Sequence, residues 1–391
     1  MTERDRSHLK SITIQDIKQH VVSLELVEPL ATSFGSETDK TAILLELITE
    51  RGITGWGEVS VSVFPGYGPE TVGTAEHLLK YFIIPLLKGK TIENATDVPA
   101  ILKSVRGHHH AKAGVEAAVW DAMAKANDMR LVDLFAVHLP GHPQPRDAAL
   151  VGVSIGIQPS FEATTAIIRK RLDQGYARIK LKIKQGWDLE LVRRVRRELP
   201  DIPLMLDANS DYTLDCADHL AQLDAFSLLM IEQPLAYNDI YEHSLLQQRL
   251  KTPICLDESI TSAHDLQLAL QLDALRILNL KPARVGGFSE CLKIATICTE
   301  RAVPLWIGGM LETGPGRAAN VALAALPAVT LPSDISATDR YFALDITAPA
   351  FVLGPGSTIS VPDGYGIGVE VQYDRLEVAA ARWRERSVFG A

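Results

Sequence analysis

The chain has 391 residues, 47% of them hydrophobic and 22% charged, with a net charge of −9. That length exceeds one small domain and suits a full barrel plus one more domain. The acidic balance, with a pI near 5.7, argues against a nucleic-acid footprint or attraction to an anionic membrane, though not against a small anionic substrate.

The opening MTERDRSHLK is polar and lacks an apolar stretch, so no secretory leader is expected from it. No run reaches the ~18 apolar residues of a membrane span. The four cysteines, Cys216, Cys255, Cys291 and Cys298, form no CxxC pattern, and Cys291 and Cys298 are too far apart on an expected helix to bridge. Reduced thiols and a cytoplasmic location are the corresponding expectations.

Residues 11–60 alternate in the manner of strands, with a hairpin turn at ERGITG. Residues 71–138 read as helices: TVGTAEHLLKYFIIPLL is apolar at helical spacing, and the alanine-rich AKAGVEAAVWDAMAKAND ends near Asn127. Strands followed by helices suggest an α+β domain over 1–145, bounded by the proline-rich HLPGHPQPRDAAL. From Val151 a short apolar strand and a helical pattern alternate repeatedly. Strands are expected near 151–157, 178–184, 203–207, 227–232, 254–257, 276–280, 305–309 and 328–335. Such an α/β series over 146–340 suits a closed parallel barrel, with a doubly wound sheet as the alternative. After residue 340 the alternation stops, and in 341–391 VEVQYDRL reads as a strand returning to the first domain.

Charged residues mark the ends of five of these runs: Lys182, Asp207, Glu232, Asp257 and Lys281, at intervals of 25, 25, 25 and 24. A strand, a return helix and two loops take about that many residues, so a closed barrel brings all five to one rim. Lys180 and Lys182 share a strand face; an inward-facing lysine loses hydration, which drives its pKa down toward that of a base. Taken singly, each carboxylate also fits a helix cap, and each lysine a solvated surface position. Three carboxylates converging in phase would instead repel unless a cation lay between them. An all-oxygen set selects Mg²⁺ or Mn²⁺ over zinc.

With these residues in place, the chain resembles the enolase superfamily, in its muconate-lactonizing-enzyme-like branch. Within the branch it is most similar to the o-succinylbenzoate synthase / N-acylamino acid (N-succinylamino acid) racemase family. The resemblance runs through SFG at 33–35, GITGWGE at 52–58, AKAGVEAAVWD at 111–121, RIKLKI at 178–183, LDAN at 206–209, IEQPL at 231–235, LDES at 256–259, NLKPARVGG at 279–287 and GGMLETG at 308–314. It implies a (β/α)7β modified TIM barrel with an N-terminal α+β capping domain. The use of a lysine base with Mg²⁺ comes with the resemblance, not from the spacing.

Residue by residue, the resemblance makes Asp207, Glu232 and Asp257 the metal ligands. Lys182 becomes the general base, Lys180 its neighbour that keeps its pKa low, and Lys281 the acid/base of the opposite face. Ser154, Asn209, Gly309, Met310 and Leu311 match substrate-lining positions. Arg178, two residues before the lysine pair, matches an arginine accompanying racemising members; a solvated arginine at a strand start is the plain alternative. The implied chemistry is loss of the proton α to a carboxylate. Syn-dehydration of 2-succinyl-6-hydroxy-2,4-cyclohexadiene-1-carboxylate and racemisation of N-succinylamino acids share the resulting enediolate. A homo-oligomer, dimer or octamer, and a small carboxylate substrate are implied as well.

Segments 29–36 and 61–71 are the expected specificity loops, with Tyr67 lining the pocket. His108, His109 and His110 fit a helix start near the domain interface better than a second metal site, since adjacent helix residues diverge. The family usually has methionine at His110 and an aliphatic residue at Pro315. Alternatives on the same scaffold are a muconate-type cycloisomerase or a dipeptide epimerase, although the DxD pair of the latter is missing. A metabolite-binding barrel without catalysis is the alternative of another class.

Overall fold

The computed structural model describes residues 9–32 and 35–388, with side chains as far as residue 386. Strands β1 (Ile12–Thr32), β2 (Gly35–Thr49), β3 (Thr54–Val59) and β4 (Thr91–Ile92) form an antiparallel sheet in the order β3-β2-β1-β4. Ile43, Leu45 and Leu47 of β2 are fully buried, and so are Ala42 and Leu44 on its other face, so both faces of this strand are covered. The helix His109–Ala126 lies against β3 at very close range. A Cβ on Gly57 would sit 2.0 Å from the Gly114 carbonyl oxygen, so GWGE and AKAG need glycines where the backbones touch.

The expected loop at 29–36 is a correction. β1 runs to Thr32 and β2 resumes at Gly35, so this is a long hairpin rather than an open loop. Ser33 and Phe34 of the SFG motif lie outside the described residues. Ala31 accepts a hydrogen bond from Ile157 N at 2.9 Å, which docks the hairpin onto the barrel rim.

The second sheet is parallel. After the short β5 (Ala148–Leu150) come β6 (Val153–Ile155), β7 (Ile179–Lys182), β8 (Leu204–Asp207), β9 (Ile231–Glu232), β10 (Ile254–Leu256), β11 (Ile277–Leu280) and β12 (Leu305–Ile307). Strands β6 to β12 are neighbours in chain order. The expected eighth strand at 328–335 does not form as a regular strand, the second correction. The segment still closes the ring through single bonds: Asp334 N to Ile307 O at 2.9 Å, and Ser333 N to Leu150 O and Gly152 N to Ser333 O, both at 2.8 Å. Met205, Met230, Cys255, Ile277 and Trp306 form a separate buried cluster inside this ring.

VEVQYDRL is the third correction. Only Glu370–Val371 is strand, pairing with Thr347–Ala348, and a helix begins at Tyr373 and runs to Val388. This helix does meet the first sheet. Tyr373 OH donates to Glu46 at 2.9 Å, and Arg382 pairs with Asp39 at 2.6 Å.

Candidate active site

The ladder residues meet because parallel strands place their C-terminal ends on one rim. Lys182 is the register partner of Asp207, and Asp207 of Glu232. Asp257 and Lys281 directly follow β10 and β11. In a ring of eight segments β7 and β11 stand four apart, so Lys182 and Lys281 approach the centre from opposite sides. All three carboxylates are fully buried or nearly so.

Each carboxylate is held by cations. Lys182 Nζ donates to Asp207 Oδ2 and to Asn209 Oδ1, both at 2.6 Å. Lys180 Nζ lies 3.0 Å from Glu232 Oε2, 3.1 Å from Asp207 Oδ2 and 2.5 Å from Asp334 Oδ2. Lys281 Nζ reaches Asp257 Oδ2 at 2.7 Å and also contacts the Tyr67 hydroxyl. Tyr67 OH donates to Asp257 Oδ2 at 3.1 Å and contacts Arg284 too.

Burial pulls the Lys180 ammonium down, but Asp334, Glu232 and Asp207 more than reverse this, so its pKa rises well above 10.5. The downward shift expected of an inward lysine therefore fails for Lys180, because the inner ring is anionic. Burial and the adjacent Asp207 charge push the Glu232 carboxyl up to about 8. Burial works to raise Asp207 as well, yet Lys182 and Lys180 hold it below the usual carboxylate range.

A cavity of about 380 Å³ opens above these groups. Ser154, Lys180, Lys182, Asn209, Lys281, Gly309, Met310, Leu311 and Tyr67 all line it. Asn209 and Leu311 have positive φ, 42° and 57°, so both turns leave the regular strand path where they face the cavity. Arg178 does not line it, a further correction. Its buried guanidinium pairs with Asp334 at 2.7 Å, donates to Pro332 O at 2.9 Å, and lies over the Trp306 ring. It therefore positions Asp334 instead of touching substrate.

Sequence reasoning passed over Asp334, Asn279 and Arg284. Asn279 Nδ2 donates to Glu232 Oε1 at 2.7 Å, and Arg284 Nε lies 3.2 Å from Asp257 Oδ1. Asp334 stands 53 residues beyond Lys281, a few residues off two further ladder steps, so the spacing did not single it out.

The histidine run divides as expected. His108 precedes the helix at φ 55°, and His109 begins it. The buried His110 sets its Nδ1 2.8 Å from Ser60 O, so this nitrogen carries the proton and donates. Burial pushes its pKa down to about 4. The helix start in GGMLETGPGR is closed to phosphate, because Glu58 accepts from Thr313 N at 3.0 Å and from its hydroxyl at 2.7 Å.

Among the described residues no three metal-binding side chains are gathered into a ready cage. The oxygens of Asp207, Glu232 and Asp257 are turned to the ammonium groups. The set nevertheless fits a hard divalent cation. It offers only oxygen donors, Asp257 Oδ1 accepts no hydrogen bond, and the raised Glu232 carboxyl marks uncompensated negative charge.

Comparison with known proteins agrees with this geometry. Residues 16–136 match the mandelate racemase / muconate lactonizing enzyme N-terminal domain, and residues 163–375 match the enolase C-terminal domain-like family. The chain is 44% identical to an o-succinylbenzoate synthase from Geobacillus kaustophilus, covering 94% of this chain and 96% of that one. It is 45% identical to an N-succinylamino acid racemase from an Amycolatopsis species, covering 89% and 92%. A solved enolase-superfamily structure from Listeria innocua superposes with a TM-score of 0.89 at 40% identity, covering 94% and 97%. With both domain families matched and these identities over almost its whole length, the chain belongs to the mandelate racemase / muconate lactonizing enzyme family of the enolase superfamily.

Proposed function

We propose that this protein removes the proton α to a substrate carboxylate, acting as an o-succinylbenzoate synthase with N-succinylamino acid racemase activity. One observation carries the reading: Lys182 and Lys281 face one cavity from opposite sides above three buried carboxylates. The two relatives' names fit the two outcomes of such a site.

Asp207, Glu232 and Asp257 would hold Mg²⁺ or Mn²⁺, which when bound stabilises negative charge developing on the substrate carboxylate. Lys182, as the free amine, takes the α-proton onto Nζ, and Asn209 Oδ1 and Asp207 Oδ2 hold that nitrogen in place. The C–H electron pair enters an enediolate. Lys180 stays protonated and supplies fixed positive charge beside it.

In the synthase reaction the β C–O bond then breaks and the C=C bond forms. The hydroxyl leaves as water with the proton held by Lys182, which restores the free amine. In the racemase reaction the Lys281 ammonium delivers its proton to the opposite face. The product then has the inverted configuration, and Lys182 retains the first proton. Tyr67, from segment 61–71, bridges Lys281 and Asp257 and thereby orients the Lys281 ammonium.

A dipeptide epimerase is served less well, because Asp334 is already engaged by Lys180 and Arg178. We assign residues 1–145 as cap, 146–340 as catalytic barrel and 341–391 as the segment returning to the cap. We also assign a cytoplasmic homo-oligomer. Its four cysteines are free, and no helix of the described residues is long and apolar enough to cross a membrane. The test is Cα–H exchange in D₂O followed by NMR. Loss of the α-proton signal from an N-succinylamino acid is expected. No exchange there and no turnover of the synthase substrate refutes the proposal.

A further inference from the structure

Most charged groups lining the cavity are already spoken for. Lys180, Lys182 and Lys281 hold the carboxylates beneath them. Arg386 pairs with Asp39 at 2.8 Å, and Glu37 accepts from the Ser62 hydroxyl at 2.9 Å. Lys40 is different. It lies on β2, lines the cavity from the capping-sheet side and is only 5% exposed. Among the described residues its ammonium has no carboxylate within ion-pair distance and no side-chain hydrogen bond.

The Lys40 side chain is buried while its ammonium keeps surface open to the cavity, and strand position does not require a charge there. β1 and β2 pair Lys40 with Leu24, so its cross-strand neighbour offers no acceptor. The Lys40 charge is felt by Glu58, but the oxygens of Glu58 are taken by Thr313 and Ser60. The catalytic lysines belong to the barrel and Lys40 to the cap. A ligand spanning the cavity therefore meets positive charge at both walls.

We propose that Lys40 anchors a second carboxylate, carried on the far end of the substrate from the α-carbon. The succinyl substrates named above are dianions, so the proximal carboxylate faces the barrel rim while Lys40, on the cap, takes the distal one. This deepens the functional reading above and rests on it. Selection then acts on length as well as charge, because both anchors are fixed to packed strands. The uncharged analogue leaves the Lys40 ammonium unpaired, which is the stronger part of the discrimination.

The test compares N-succinyl-phenylalanine with N-butanoyl-phenylalanine, which has the same acyl chain length and no distal carboxylate. Binding is measured by titration calorimetry with Mg²⁺ present, for the wild type, Lys40→Met and Lys40→Arg, and Cα–H exchange is followed in parallel. The wild type should bind the succinyl compound about 10- to 100-fold more tightly, as expected for a buried charge-assisted hydrogen bond. Lys40→Met should abolish that preference, with the butanoyl compound bound at least as tightly as by the wild type, and Lys40→Arg should keep most of it. Equal wild-type affinities, or an equal loss for both ligands in Lys40→Met, overturn the proposal. Retained discrimination without any exchange upholds Lys40 and instead refutes the racemase part of the assigned reaction.

Discussion

Asp334→Asn tests whether the inner ring of charge is one connected unit. Asp334 is 2.5 Å from Lys180 Nζ and 2.7 Å from Arg178 Nη1, and all three side chains are buried. Burial alone would raise the Asp334 carboxyl, but Arg178 and Lys180 together lower it from 3.8 to about 2. A depressed carboxylate contributes stability above its unfolded pKa that is lost as pH falls through its folded pKa. That shift corresponds to about 2 kcal/mol, present above pH 3.8 and lost on the way to pH 2. Neutral asparagine also leaves the buried Arg178 guanidinium without a carboxylate and takes one of three from Lys180. The total loss at neutral pH should therefore be about 3–5 kcal/mol, the range for breaking a buried pair. Urea denaturation at pH 7.5 measures it. Arg178→Met should rescue part of the loss in the double variant, with a coupling of about 1–3 kcal/mol. An Asp334→Asn protein as stable as the wild type, or strict additivity with Arg178→Met, contradicts a shared network.

Further expectations concern other contacts. Gly308→Ala should lower activity at least about 10-fold, since its Cβ would meet Asn279 Oδ1 at 2.2 Å and Lys281 Cε at 2.6 Å; steady-state kinetics reads this out, and a wild-type rate refutes the close fit. Glu116 is fully buried, and burial raises its carboxyl from 4.5 to about 7 despite bonds from Ser289 N and Trp120 Nε1. For a raised carboxyl, the stability it contributes is complete below pH 4.5, falls as pH rises from there through 7, and is lost above that. Glu116→Gln should then raise thermal stability at pH 8.5, by at most about 3 kcal/mol, and change little at pH 4.5. An equal effect at both pH values contradicts the account. Tyr67→Phe should slow racemisation about 10-fold or more, because Lys281 loses its phenol partner, with CD-monitored racemisation as the assay. Removing divalent metal with EDTA should abolish Cα–H exchange, and adding Mg²⁺ should restore it.

The barrel was legible because each strand–helix unit consumes a near-constant number of residues, so charge at strand ends recurs in phase. Lys182, Asp207 and Glu232 are level in the sheet for that reason. Period-two patterning tells which residues share a face, but not what covers that face. Arg178 alternates correctly with Lys180 yet ends against Asp334, below the cavity floor. Asp334 itself was missed because it sits inside its expected strand and not at the strand's end, and the segment closes the ring through isolated bonds instead of a regular strand. The final helix was misread because VEVQ alternates briefly before Tyr373. Lys40 looked like an ordinary charged residue in an alternating strand, and only the barrel mouth packed over it makes it distinctive.

The central claim is that Lys182 removes the α-proton and Lys281 serves the opposite face. The most direct measurement is deuterium incorporation at Cα of an N-succinylamino acid in D₂O, for wild type, Lys182→Ala and Lys281→Ala, with Mg²⁺ affinity measured on each. The wild type should exchange and racemise. Lys182→Ala should lose at least about 10³-fold in exchange while still binding Mg²⁺, and Lys281→Ala should fail to racemise. Exchange by Lys182→Ala at the wild-type rate would contradict the account.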